Sequence, residues 1–282
     1  MSAAAGNVAS IQLDYSRCRG CGDCIITCHT RAIKVYRAAL AVDYSLCDAC
    51  MECAEVCPAD AFSTTIDPIK VHPIELESYS IIQPMLEELD VSRELLPLAT
   101  RVLHATVDKE LAGSLWCSKN AVDRIIEALG KGYPIITDVE MTRSGLTGDL
   151  KEKSVCALSF KAQRDGDTTD SSELPSVSAA SMAEAANQYR DDTLYVIGCA
   201  PTALERLMDM AESGDVRPAG VLALPVGFVG AEQAKCRLMD ISARYSFPAI
   251  TNAGPKGGSA ATAACMNAIY RVAVEQERVS HE

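Results

Sequence analysis

Positive charge, aromatic side chains and long apolar runs are all scarce in this chain. Lys and Arg number 26 against 38 Asp and Glu, a formal net charge of −12. That balance excludes sequence-independent nucleic-acid binding, which needs a basic face. No apolar run approaches the roughly 18 residues of a membrane-spanning helix. The first residues, MSAAAGNVASIQLDYS, carry neither the basic nor the apolar segment of a secretory signal. The expectation is a cytoplasmic protein that engages neither membrane nor nucleic acid. Nucleotide-binding and hydrolase signatures are missing too: no G-x-G-x-x-G follows the first strand, and neither G-x4-G-K-[ST] nor G-x-S-x-G occurs.

Cysteine, by contrast, is abundant. There are thirteen, eight of them within residues 18–57. In a reducing compartment such a cluster points to metal ligation rather than disulfides. Two runs read C-x2-C-x2-C-x3-C: Cys18, Cys21, Cys24, Cys28, then Cys47, Cys50, Cys53, Cys57. Each member of the second run lies 29 residues after its counterpart, and Asp14-Tyr15-Ser16 is echoed by Asp43-Tyr44-Ser45. The segment is an internal duplication. Three thiolates at two-residue intervals wrap three corners of one cubane, and the fourth cysteine leads away toward the other cluster. Cluster one is then expected on Cys18, Cys21, Cys24 and Cys57, and cluster two on Cys47, Cys50, Cys53 and Cys28. Zinc sites pair C-x2-C units across longer gaps and fit this packing poorly. Residues 10–65 resemble two-cluster bacterial ferredoxins, which implies a small βαββαβ fold, two [4Fe–4S] clusters and electron transfer. Pro58 follows the last ligand as in that family, whereas His29 stands in the equivalent place after Cys28.

Residues 64–75, TTIDPIKVHPIE, read as a linker or strap. The expected domains are 1–66 and 67–282. Beyond the linker only Cys117, Cys156, Cys199, Cys236 and Cys265 remain, with no ligand pairs, and each is expected to be a buried apolar cysteine. The pattern here alternates strand and helix. Strands are expected at 135–136, 154–159, 193–198, 220–225 and 248–251. Helices are expected from an N-cap at Ser118, over Leu95–Leu103, and at 201–212, 231–244 and 259–275. Apolar strands alternating with helices imply an open, mostly parallel sheet covered on both faces. In such sheets ligands bind beyond the carboxyl ends of the strands. Four segments leave those ends with unusual chemistry: 138–145, with Asp138 and Arg143; 198–202, with Cys199; 225–230; and 252–259, with Lys256, Gly257, Gly258 and Ser259. Glycine permits close backbone approach. A helix starting at Ser259 would offer free N–H groups to an anion, with Lys256 adding a full charge. Each glycine can equally serve only a turn, and Arg143 and Lys235 can equally be solvated surface residues.

The stretches HPIELESYSII (72–82), ATRVLHAT (99–106), GYPIITDVEMTRSGL (132–146), IGCAPTAL (197–204), LPVGFVGAEQAK (224–235) and GPKGGSAATAACMNA (254–268) resemble the precorrin-8X methylmutase family of corrin-ring synthesis, in order, across residues 72–275. The resemblance implies a homodimeric isomerase that moves a methyl group from C11 to C12 of a contracted tetrapyrrole. The family's catalytic histidine, in an R-x-x-H-A stretch, corresponds to His104, with Arg101 three residues before it. Histidine suits proton donation near neutral pH. A histidine near the end of an apolar helix can also merely complement the helix dipole. The substrate's carboxylates call for local positive charge, and Arg101, Arg143, Lys235 and Lys256 are the candidates. Two departures touch the expected pocket: Ser176–Ala180 lacks the arginine usual in the family, and Cys199 replaces an asparagine. The acidic segment 164–176 reads as a surface loop. A methyl shift needs no electrons, so the fused module is expected to feed reduction of the macrocycle or its cobalt in an adjoining step, to serve a redox partner or dock an adjacent pathway enzyme, or to be only structural. The alternative reading is a tetrapyrrole-binding redox protein without methylmutase activity.

Overall fold

A computed structural model describes residues 11–36, 39–43, 46–47, 52–64, 73–92, 94–160 and 175–280. Cys50, His72 and most of the 164–176 segment lie outside these residues. The amino-terminal part comprises β1 (Ile11–Leu13), α1 (Asp23–Thr27), β2 (Ile33–Tyr36), β3 (Ala39–Val42), α2 (Glu52–Glu55) and β4 (Phe62–Thr64). The duplication is visible in its bonding. β1 pairs antiparallel with β4, and β2 with β3. The Asp14 N–H donates to the Ala61 carbonyl at 2.7 Å, and the equivalent Asp43 N–H donates to the Ala32 carbonyl at 2.6 Å. Arg31 and Asp60, again equivalent, both take left-handed backbone conformations. The small core holds Ile11, Leu13, Ile33, Val42 and Phe62 together with Cys24 and Cys53.

The rest of the chain adds α3 (Pro73–Glu87), α4 (Leu96–Thr106), α5 (Lys109–Gly113), β5 (Leu115–Cys117), α6 (Ala121–Gly130), β6 (Ile135–Thr137), α7 (Glu140–Ser144), α8 (Asp149–Glu152) and β7 (Ser154–Cys156). It continues with α9 (Val177–Tyr189), β8 (Leu194–Ile197), α10 (Pro201–Ser213), β9 (Gly220–Ala223), α11 (Ala231–Tyr245), β10 (Ala249–Asn252) and α12 (Ser259–Ser280). The sheet order is β5-β10-β9-β8-β6-β7, parallel throughout except for β5 at one edge. Both faces are buried. Ile135, Leu194, Val196, Leu222 and Ile250 pack with α3, α4, α6 and α12, while Ile136, Tyr195, Ile197, Val221 and Ala249 pack with α9, α10 and α11. Strand side chains alternate between faces, so each apolar run feeds two cores. A fully buried Leu or Ile contributes about 1.5–3 kcal/mol.

The chain starts its parallel sheet one strand in from the edge, at β6. It lays β7 on one side, then crosses to β8 and runs outward through β9 and β10. The order reverses between β6 and β8, which makes that crevice the topological switch point.

Several sequence expectations are corrected. The strand expected at 154–159 stops at Cys156 and turns into a 3-10 segment, Ala157–Ser159. Ser118 does not cap α6; Asn120, in a left-handed conformation, precedes the helix, and the Ser118 hydroxyl accepts the Ala249 N–H instead. Residues 73–75 are the first turn of α3 rather than linker, since Pro is well placed to open a helix. Residue 176 is not loop but N-cap: the Ser176 hydroxyl accepts the Ala179 N–H. Cys199 and Cys236 are exposed, against the expectation of burial, while Cys156 and Cys265 are buried. Among the described residues no helix is long and apolar enough to cross a membrane.

Candidate functional site

β6, β8, β9 and β10 run parallel as neighbours, so the segments that follow them open on one edge of the sheet. At the switch point, Asp138 is 1% exposed. Its carboxylate accepts the N–H groups of Gly198 (3.1 Å), Cys199 (2.7 Å) and Ala200 (2.8 Å), and the Thr142 hydroxyl (2.9 Å). These are the amides leading into α10, the place where an open sheet offers an anion its donors. Here the anion is the protein's own side chain. Thr142 also bonds Ser259 at the start of α12, hydroxyl to hydroxyl at 2.9 Å. Gly198 fits this knot because a Cβ there would stand 2.7 Å from Thr142 Oγ1 and 2.8 Å from Ser259 Cα. Asp138 and Ser259, singled out as substrate ligands, are thus drawn together, and both side chains are engaged in closing β6, β8 and α12 upon one another.

A second knot lies at the end of β10. Lys235 is wholly buried, and its ammonium donates to Asn252 Oδ1 at 3.1 Å and to the Lys256 carbonyl at 2.7 Å. Burial pushes its pKa down to about 8. Lys235 is therefore no surface cation reaching for a ligand. It ties α11 to the 252–259 loop. The loop's path demands glycine: Gly257 has φ +157, and a Cβ on it would lie 2.1 Å from the Leu224 carbonyl oxygen. The Gly258 N–H donates to that same oxygen at 2.7 Å. Arg143 is likewise turned to the fold, donating to the Ser154 carbonyl (2.9 Å), Glu140 (3.0 Å) and the Lys151 carbonyl (3.3 Å).

The third component is the carboxyl end of α4. Its apolar stripe, Leu98, Ala99, Val102 and Leu103, is buried against the core, and His104 follows in the last turn. The His104 ring lies flat on Tyr79 of α3, centroids 5.1 Å apart and planes 7° from parallel. Arg101 Nη1 donates to the Tyr79 hydroxyl at 2.6 Å. Beyond the helix, Asp108 caps α5 through the Leu111 N–H at 2.9 Å and pairs with Lys256 at 2.9 Å. Glu110 pairs with the same ammonium at 2.8 Å. The Leu111 N–H and the Lys256 ammonium hold the Asp108 carboxyl below its usual range, and Glu110 and Asp108 raise Lys256. Lys256 is thus the joint between the His104 helix end and the sheet rim. Sequence reasoning passed over Tyr79, Asp108, Thr142 and Asn252: Tyr79 and Thr142 lie inside the quoted stretches, Asn252 only opens the 252–259 segment, and Asp108 lies outside them all.

In the cysteine module none of the described cysteines forms a disulfide. Cys28 Sγ accepts the Ala32 N–H at 3.2 Å, and Cys57 Sγ accepts the Ala61 N–H at 3.3 Å, a matched pair of N–H···S bonds. Burial raises Cys18, and the neighbouring Cys57 and Cys21 add to the effect. Burial pushes Cys24 up to about 12, with Cys18, Cys21 and Cys53 contributing. Burial also acts on Cys28, but hydrogen bonds from Thr30, Ile33 and Ala32 outweigh it and lower its pKa. Among the described residues no three His, Cys, Asp or Glu side chains converge closely enough to hold a metal ion. The donor set, all soft thiolates with amide donors to sulfur, fits an iron–sulfur cluster.

Comparison with known proteins agrees with this division. The "Precorrin-8X methylmutase" family profile matches residues 73–272, and a "4Fe-4S dicluster domain" profile matches residues 10–58. The cobalt-precorrin-8 methylmutase of Priestia megaterium is 32% identical over 210 residues, 74% of this chain and 92% of that protein. The precorrin-8X methylmutase of a Sinorhizobium species is 33% identical over 198 residues, 69% and 91% of the two chains. A crystal structure of precorrin-8X methylmutase from Thermus thermophilus superposes with a TM-score of 0.60 at 31% identity, covering 71% of this chain and 95% of that one.

Proposed function

Since the chain belongs to the precorrin-8X methylmutase family and carries a fused 4Fe-4S dicluster domain, we propose that its isomerase part moves a methyl group from C11 to C12 of a corrin precursor, with His104 as the proton donor. The observation that carries this reading is the seating of His104. It occupies the last turn of α4, where the carbonyl ends suit a protonated imidazole. Tyr79 fixes the plane of its ring, and Asp108–Lys256 holds that helix end against the rim. A proton given to the macrocycle polarises its conjugated system and eases migration, and positioned acid catalysis supplies about 10²–10⁴-fold. The remainder falls to a rim that holds the ring in a reactive geometry. Arg101 and Lys256 are the cations placed to meet substrate carboxylates, Lys256 by exchanging Asp108 and Glu110 for them. Gly257, Gly258 and Ser259 shape the wall beside them. Asp138, Arg143 and Lys235 act by holding the rim loops.

We assign one [4Fe–4S] cluster to Cys18, Cys21, Cys24 and Cys57 and the other to Cys47, Cys50, Cys53 and Cys28. The C-x2-C-x2-C-x3-C spacing, whose fourth cysteine leads away from the first three, supports the crossover. When bound, the clusters supply one-electron transfer. The division near residue 66, a cytoplasmic setting and a homodimer complete the reading. Phe228 and Val229, apolar and fully exposed on the 225–230 loop, support pairing with a second copy. The test is conversion of precorrin-8X, metal-free and cobalt-bearing, by protein purified without oxygen, with iron and sulfide analysis matching two cubanes per chain. Binding without conversion in both forms overturns the isomerase reading.

A further inference from the structure

The methyl shift is redox-neutral, so the position of the iron–sulfur module calls for a separate explanation. β2 packs against both α3 and α4. A cavity of about 330 Å³ separates the module from these helices. Its walls include Gly22, Ile25 and Ile26 on one side and Tyr79, Leu86 and Thr100 on the other. Gly22 stands between Cys21 and Cys24, and Ile25 and Ile26 stand between Cys24 and Cys28. The metal-binding loop of the first run is therefore turned toward α3. Tyr79 is 1% exposed and reaches that cavity from α3, while its ring lies on His104 and its hydroxyl holds Arg101. A single buried ring thus lines the cavity opposite the cysteine loop and touches the two residues assigned to the macrocycle. A module that served only to dock a partner would have no need to face this stack.

We propose that the iron–sulfur module is an internal electron donor to the macrocycle bound at the methylmutase site, and that Tyr79 bridges the two. The inference rests on the methylmutase reading for the macrocycle's location. In the step, a reduced [4Fe–4S]⁺ cluster loses one electron and becomes [4Fe–4S]²⁺. The cobalt(II) ion of a cobalt-bearing substrate gains it and becomes cobalt(I). No proton moves and no protein bond is made. A low-potential one-electron donor protein recharges the cluster, and dithionite takes its place in the test. Tyr79 is a bridging and positioning residue, since it is buried and lies against His104 and Arg101.

The experiment uses the full holoprotein, reduced with dithionite, freed of excess reagent and mixed without oxygen with the cobalt(II) macrocycle. Electron paramagnetic resonance on rapidly frozen samples follows both metals, and the absorption shift of the macrocycle reports binding. The cobalt(II) signal and an equal number of cluster spins are expected to be lost together, one electron for one. Persistence of both signals with the macrocycle bound overturns the proposal. Tyr79→Leu is expected to slow the transfer about tenfold or more, whereas Tyr79→Phe, which keeps the ring, slows it less than about threefold. An unchanged rate in Tyr79→Leu overturns the bridge, and Tyr79→Phe as slow as Tyr79→Leu does the same. The methyl shift is assayed separately with oxidised clusters. Its failure alongside electron transfer counts against the isomerase reading alone, and conversion without electron transfer counts against this proposal alone.

Discussion

The two parts of the chain treat their reactive side chains in opposite ways. In the cysteine module the described cysteines form no disulfide, and the matched N–H···S bonds to Cys28 and Cys57 leave sulfur able to ligate. In the α/β part most of the charged residues that stand out are already held by the fold. Asp138 is saturated by three amides and a hydroxyl, Lys235 is buried among loop carbonyls, and Arg143 clasps Ser154 and Lys151. Three of the four ligands of each cluster come from one short loop, so local spacing alone brings them together. A rim at the edge of a parallel sheet gathers loops far apart in sequence, and those loops need internal charges to stay together.

The comparison can be broken most sharply at His104. Replacing it with Asn is expected to lower turnover by about 10²–10⁴-fold while macrocycle binding, followed by absorption titration, persists; loss of binding instead would place His104 among the residues that hold the rim. Next comes Gly257→Ala. The new Cβ has no room beside the Leu224 carbonyl, and a stability loss of roughly 2–4 kcal/mol is expected in urea melts. Asp138→Ala strands three amides, at a cost of about 2–3 kcal/mol, with Asp138→Asn recovering part because it keeps one acceptor oxygen.

Lys235 provides a pH test of the same contrast. Its pKa is about 8 in the folded chain against an ordinary 10.5. Between those values the unfolded chain holds a proton that the folded chain has released, so stability rises with pH across this window and its contribution is flat below it. Lys235→Met is expected to remove that rise from denaturation midpoints measured between pH 7 and pH 11. The smallest effect is expected from Cys57→Ala: one cluster is lost, seen as lower iron content, and the methyl shift continues at close to its normal rate. A parallel fall in turnover would show that the two parts are not independent in the isomerisation.

The fold was largely legible because both periodicities are strong. Strands at β6, β8, β9 and β10 and helices at α4, α10, α11 and α12 follow from apolar runs and caps. The edge strand β5 escaped notice, since Leu115–Cys117 is three residues long and only its pairing with β10 makes it a strand. Helix α9 was missed as well. Its alanine-rich sequence has little amphipathic contrast, and it is a helix against α10 rather than by its own pattern. At the site, Tyr79 was invisible as a functional residue because a tyrosine in an apolar helix looks like core until its partner across the helix pair is known.

What the sequence by itself determined is the amino-terminal chemistry and the family of the remainder. Ligand spacing is local, and a 29-residue repeat of it admits one reading. The tertiary structure alone decided which polar residues are tied into the fold and which stand at a partly open surface. Asp138 and Lys256 carry the same kind of signal in the sequence, yet one is buried under three amides and the other bridges Asp108 and Glu110 at a partly open surface. The reason is physical. A charge's role depends on which donors and acceptors the sheet order brings within about 3 Å, and the pairings that set this order join residues scores of positions apart in the chain.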